Sequence, residues 1–377
     1  MRRARTAPAR ALALAIAAAT VIATGAACSP WPDLDPTDVG NAPDPHLGDE
    51  VVRSTRALRI ATVFQADALI VVYEEVGAGW HAVAVAPDTG AVTSLPSPPL
   101  RPGESIALGR AMAPARAVVA VLRELEIATF VLDGDRWTAW PTLAVDGSAA
   151  AVGQVLAHDG RVYVSYGDRV QVSDGGGWRD PIAAAGRVVL GGFDAATQWM
   201  LTDAGGTFAA VPVDASGAAG AAIAGPPGAG GAEESAINGD ADGFVVAAGD
   251  ALWRYQAGEF AAIAGLPALA GATPYSAPGH DRLVLTTTSA PQASWSLFDG
   301  DTLVSALEPF EPVLPCDCDP GTDPACPCVT HSIPYVNLRP APDGLRLAMT
   351  TADEDQGDVG LFVRFLDLPF AGSPLLD

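Results

Sequence analysis

Apolar residues in this chain come in short runs broken by Gly, Asp and Pro, and the clearest run alternates with period two. Val162, Val164 and Tyr166 fall on one side of that stretch, Tyr163 and Ser165 on the other. This is the pattern of a strand, whose successive side chains point to opposite faces. Residues 69–73, 80–85, 152–157, 244–246 and 283–288 also read as strands, and Asp133-Gly134 and Asp159-Gly160 read as tight turns between strands. Residues 117–126 have the propensity of a helix. Only two strands there, however, bring the turn at Gly134 and Trp137 into register with their counterparts.

The turns recur. Gly90, Gly134, Gly175, Gly217, Gly258 and Gly300 lie 44, 41, 42, 41 and 42 residues apart, and Pro96, Pro141, Pro181, Pro226, Pro267 and Pro309 close the same units. A period in the low forties on a strand-rich chain predicts an all-β fold, a β-propeller of seven four-stranded blades. Two β-sandwiches would not produce so constant a spacing. The chain ends before a full fourth strand of the last blade, so a segment within 51–63 is expected to supply it and close the ring. Alternate turns of antiparallel strands go to opposite faces. The inter-blade links and each blade's middle turn should therefore share one face, and the first and third turns the other. Blade four is the weakest unit: its fourth strand dissolves into Ala, Gly and Pro over 215–231, a stretch expected to be a surface loop.

The ends of the chain add an address. Arg2, Arg3, Arg5 and Arg10 precede an apolar run at 11–22, followed by Gly25, Ala26, Ala27 and Cys28. That is the layout of a secretory leader over 1–27, and the apolar run is too short and too Ala-rich to span a bilayer. The leader resembles a bacterial lipoprotein signal, although Gly25 stands where Leu is common. The resemblance implies that Cys28 is acylated and anchors the mature chain to a membrane. Cys28 is also the odd cysteine beside an even set of four. Residues 28–57, rich in Pro and Asp, read as an extended tether, leaving 58–377 for the propeller.

Charge narrows the partners. All 21 basic residues are Arg, which excludes lysine Schiff-base and P-loop chemistry. Removing the leader leaves 17 Arg against 44 acids, a net charge of −27. So acidic a surface excludes nucleic acid and favours basic partners or cations, although the plainer reading is that the charge keeps an exported protein soluble.

The repeat is broken by an insertion at 311–332 carrying Cys316, Cys318, Cys326 and Cys328. Outside the cytoplasm these are expected to form two disulfides across the loop, Cys316–Cys328 with Cys318–Cys326 or the crossed pairing. A four-thiolate metal cage is the alternative. Two acidic stretches are candidates for Ca²⁺: Asp353, Asp355 and Asp358 in the middle turn of blade seven, and Asn238, Asp240 and Asp242, which match the first half of a calcium loop. The ninth and twelfth positions of that loop are Val246 and Gly249, so its later ligands are missing. The plainer reading, preferred for both, is a solvated turn for the first stretch and a structural turn for the second.

Ser173 to Trp178 resembles the Asp-box of sialidase-like propellers but is one residue short, so it is read as a turn capped by an aromatic. The segment from Asp159 resembles the repeats of quinoprotein-type propellers over one or two units. No catalytic signature occurs, and His46, His81, His158, His280 and His331 are scattered. The reading is a monomeric envelope lipoprotein whose propeller binds an envelope protein or glycan without catalysis or a cofactor. The alternatives are an enzyme acting on carbohydrate or a small molecule at the axis, and a metal-binding module.

Overall fold

The structure, a computed structural model, describes residues 48–65, 68–111, 116–146, 151–184, 186–194, 197–203, 206–214, 216–227, 229, 232–236, 243–248, 251–256, 258–263, 272–276, 282–289, 292–299, 302–306, 331–341, 346–355 and 358–367. The first strand is β1 (Asp49–Ser54). Blade one is β2 (Leu58–Gln65), β3 (Ala68–Glu75), β4 (Gly79–Val85) and β5 (Val92–Leu95). Blade two is β6 (Ile106–Ala111), β7 (Val118–Arg123), β8 (Glu126–Asp133) and an edge in two pieces, β9 (Arg136–Ala139) and β10 (Leu143–Ala144). Blade three is β11 (Val152–His158), β12 (Arg161–Tyr166), β13 (Arg169–Ser173) and β14 (Ile182–Ala183); blade four is β15 (Arg187–Asp194), β16 (Thr197–Asp203), β17 (Phe208–Val213) and β18 (Ile223–Ala224). Blade five is β19 (Ala232–Ala236), β20 (Gly243–Ala248), β21 (Ala251–Gln256) and β22 (Glu259–Ala262); blade six is β23 (Ala272–Ser276), β24 (Arg282–Ser289), β25 (Gln292–Asp299) and β26 (Thr302–Ala306). Blade seven is β27 (His331–Pro340), β28 (Arg346–Asp355) and β29 (Asp358–Asp367), completed by β1.

Consecutive strands within each blade pair antiparallel, the first strand of each of blades one to five neighbours that of the next, and β27 of blade seven lies against β24 and β25 of blade six. The ring closes where β27 meets β2. The closing strand is β1, paired with β29. It comes from the expected region, but 58–63 belongs to β2 instead. β1 also lies inside the stretch read as tether, so the folded domain begins nearer the N-terminus than residue 58. The surrounding prolines and acids hid a strand whose only apolar pair is Val51 and Val52.

The repeat glycines confirm the unit. Gly90, Gly134, Gly175, Gly217 and Gly258 all have positive φ, from 62° to 91°, in the third turn of their blades. An L side chain is strained there, so glycine marks the turn. At Asp159-Gly160 both residues have positive φ, 46° and 71°, which makes the two-residue turn that suits the twist of a hairpin. Residues 117–126 are strand and turn rather than helix.

The core is distributed over the seams between blades. Val162, Val164 and Tyr166 face blade two and pack with Val118, Ile127 and Val155. Tyr163, on the opposite side of β12, packs with Val188, Leu190 and Met200 of blade four. Between blades four and five the seam is aromatic: Trp199 and Phe244 have ring centroids 4.9 Å apart, and Phe208 meets Phe260 edge-on at 5.1 Å. Phe208 is fully buried, and burying such a side chain stabilises by roughly 1.5–3 kcal/mol.

Two seams carry the same polar staple. Trp137 on β9 donates Nε1–H to the carbonyl of Pro96, at 2.8 Å, and Trp178 donates to that of Pro141, at 2.6 Å. In each case the repeat Trp of one blade is tied to the closing Pro of the blade before it. This is the structural role expected for Trp178. Blade four departs from expectation, because its fourth strand exists: Ala209 pairs with Ala224, and Ala210 with Ile223. The small residues are functional in that strand. A Cβ on Gly225 would lie 2.8 Å from the Phe208 ring, so glycine allows the backbone to close over it.

Candidate functional site

Ion pairs sort the two faces of the disc. On one, the link into blade two carries Glu104, which meets Arg123 at the middle turn of the same blade, Nε–Oε1 2.6 Å and Nη2–Oε2 3.0 Å. The link into blade three carries Asp146, which meets Arg169 at that blade's middle turn at 2.7 Å. In blade one Arg56, just after β1, donates to the carbonyl of Val76 in the middle turn at 3.3 Å. On the other face, Asp133 in the third turn of blade two pairs with Arg116 from its first turn at 3.4 Å. Links and middle turns therefore share one face, and first and third turns the other.

The connection face of blades one and two is the most developed polar site among the described residues. Glu74, near the end of β3, is completely buried, yet it is a carboxylate. Its Oε1 accepts the Gly103 N–H from the link, and its Oε2 accepts Arg59 Nη1 at 3.2 Å. Arg59 belongs to the innermost strand and its side chain is half exposed, so one end of the pair is sealed and the other reaches solvent near the axis. One step further out, Glu104 also accepts the Arg101 N–H at 2.7 Å, and Arg123 reaches the Pro99 carbonyl at 3.0 Å. Burial pushes the Glu104 carboxyl up, but the Arg123 guanidinium and the Arg101 N–H outweigh it and hold the group below its ordinary range. Arg123 also lies over the Phe130 ring, 5.6 Å from its centroid. Bidentate pairing and stacking fix that guanidinium in one orientation.

At blade seven, Asp353 and Asp358 flank the predicted acidic turn, both partly exposed. Arg53 of β1 lies beside them and holds Glu50 Oε2 at 2.6 Å. The Glu50 hydrogen bond raises the Arg53 pKa, burial lowers it, and the fields of Glu50, Asp353 and Asp358 raise it further. The closure strand thus brings a cation to this turn. Among the described residues, no group of three or more His, Cys, Asp or Glu is placed to hold a metal ion. The side chain of Asp355 lies outside the described residues, as do Cys28, Cys316, Cys318, Cys326, Cys328, Asn238, Asp240 and Asp242. By chain position the cysteine segment falls between β26 and β27.

Glu74, Glu104 and Asp146 were not singled out from the sequence. Glu104 and Asp146 do stand 42 residues apart, one repeat unit, each in a link. Taking the period through the links as well as the turns would have found that pair. Glu74 carries no such mark, because its burial depends on the link folding back over β3. Of the histidines, His81 stacks on Tyr73 with centroids 5.2 Å apart and His158 ends β11.

No protein family and no curated protein matches the chain by sequence. Among solved structures, it is similar to a candidate 6-phosphogluconolactonase from Bacteroides uniformis, 12% identical, TM-score 0.51, covering 80% of this chain and 100% of the other. It is also similar to the β-propeller domain of the Trilobed protease from Pyrococcus furiosus, 8% identical, TM-score 0.49, covering 84% and 99%. A third is Hsv2 from Kluyveromyces lactis, 12% identical, TM-score 0.47, covering 83% and 100%. At these identities the likeness concerns the fold alone. The strand order makes this chain a seven-bladed β-propeller, and the Bacteroides uniformis structure is similar to it in fold.

Proposed function

We propose that this chain is a cell-envelope lipoprotein, exported by its leader, anchored through Cys28, and using its propeller to bind an envelope protein or glycan rather than to transform it. The observation that carries the binding part is the connection face of blades one to three. Its links and middle turns are tied by Arg56–Val76, Glu104–Arg123 and Asp146–Arg169. A face held this way loses little conformational freedom on binding, which is where preorganised surfaces gain affinity. The excess of acids favours a partner presenting basic groups.

Two experiments separate the parts of this reading. Metabolic labelling with an alkyne fatty acid in a bacterial host should mark the parent protein and not Cys28→Ala, which should shift to the soluble fraction. Equal labelling of both would remove the anchor. Pull-down from a detergent-solubilised envelope should retain a partner, and Arg123→Ala combined with Arg169→Ala, which unties the links of blades two and three, should weaken its capture. Unchanged capture by that variant would move the binding surface elsewhere on the protein.

A further inference from the structure

The seam between blades seven and one is built on an apolar cluster but takes in three buried polar side chains. Thr62 on β2 follows the side of Ile60 and Phe64, and its cross-strand partner is Val71. Those residues pack against blade seven. Thr350 on β28 lies between Ala348 and Ala352 and opposite Val363; Ala348 and Val363 pack against blade one. Asn337 on β27 is the other cross-strand partner of Thr350 and shares its face. Three polar side chains from the two inner strands and one neighbour thus turn into a single seam. Thr62 and Thr350 are 4% and 0% exposed. The atoms Thr62 Oγ1, Asn337 Oδ1 and Thr350 Oγ1 are buried with no hydrogen-bond partner among the described residues.

Buried polar groups are satisfied in folded proteins, by protein or by ordered water. An isolated orphan hydroxyl can remain dry, but several facing one seam form the polar environment that holds a water, which needs two to four partners. We propose that the inner half of the blade seven–blade one seam is a binding site for internal water, bridging Thr62, Asn337 and Thr350. The chain closes its ring at this seam. Its outer part is sealed by apolar contacts, including Phe64 and Phe365 with centroids 6.3 Å apart, and by Arg346 of β28, which pairs with Asp88 of blade one and, at 3.0 Å, with Asp367. Water is therefore enclosed by the same contacts that close the disc.

Thr→Val keeps the shape and deletes the hydroxyl. In thermal unfolding of the full chain, Thr62→Val and Thr350→Val should each lower the midpoint by about 1–3 °C. The double variant should fall by less than the sum, since both changes remove partners of the same water. Thr350→Ser, which keeps the hydroxyl, should lose less than Thr350→Val. Thr129→Val, at a lone buried hydroxyl on β8 in the blade two–blade three seam, should not lower the midpoint. Unchanged or raised midpoints for Thr62→Val and Thr350→Val, or a fall for Thr129→Val as large as theirs, would overturn the proposal. A high-resolution crystal structure of the unaltered protein with no water density between these side chains would do the same.

Discussion

At the scale of single residues, the charged side chains of the connection face act as fasteners, and their protonation can be followed. The folded protein holds Glu104 below its ordinary carboxylate range through Arg123. A carboxyl whose pKa is depressed on folding contributes stability that is complete above the unfolded value, about 4.3, and lost as the pH falls through the folded one. Glu104→Gln should therefore be less stable than the parent at neutral pH in urea, and the gap should close as the pH drops below about 4. A gap unchanged by acid would assign the effect to shape or neutral hydrogen bonding instead. Phe208 works by burial alone. Phe208→Ala, in the seam with Trp199, Phe244 and Phe260, should cost about 3–5 kcal/mol in the same assay.

At the scale of the element, each of blades one to five is one hairpin series with a glycine turn that sets its edge strand and, in blades two and three, a Trp that reaches back to the previous blade. Gly134 has φ +62° and open space where a Cβ would stand. Gly134→Ala should thus report backbone strain alone, about 1–2 kcal/mol. Trp137→Phe and Trp178→Phe should each lose about 1 kcal/mol through their hydrogen bonds to Pro96 and Pro141. The two losses should add, because the staples share no partner; strong coupling in a double variant would show that the seams communicate. The turns at Gly90, Gly134, Gly175, Gly217 and Gly258 were legible because a left-handed turn imposes its residue locally. The fourth strand of blade four was not. Ile223 and Ala224 pair through main chain, and the glycine that lets the backbone pass Phe208 looks in the sequence like low complexity.

At the scale of the molecule, the ring depends on a strand borrowed from the other end of the chain. Removing residues 49–54 would leave β29 as an open edge and strip Arg53 from the acidic turn of blade seven. The truncated protein should oligomerise or aggregate in size-exclusion chromatography. A stable monomer with the parent's melting curve would show that the closure strand is dispensable.

The amino-acid order alone determined the blade, its number and the sorting of turns onto faces. These follow from period-two alternation and from glycine turns one unit apart, and both are local constraints repeated along the chain. The boundary of the domain, the burial of Glu74 under the link at Gly103, the meeting of Arg53 with Asp353 and Asp358, and the gathering of Thr62, Asn337 and Thr350 in one seam were decided only in three dimensions. Each depends on residues distant in sequence being brought together by ring closure or by a link folding over a strand. No spacing in the sequence encodes such a contact, because the partners lie on elements whose relative position exists only once the disc has closed.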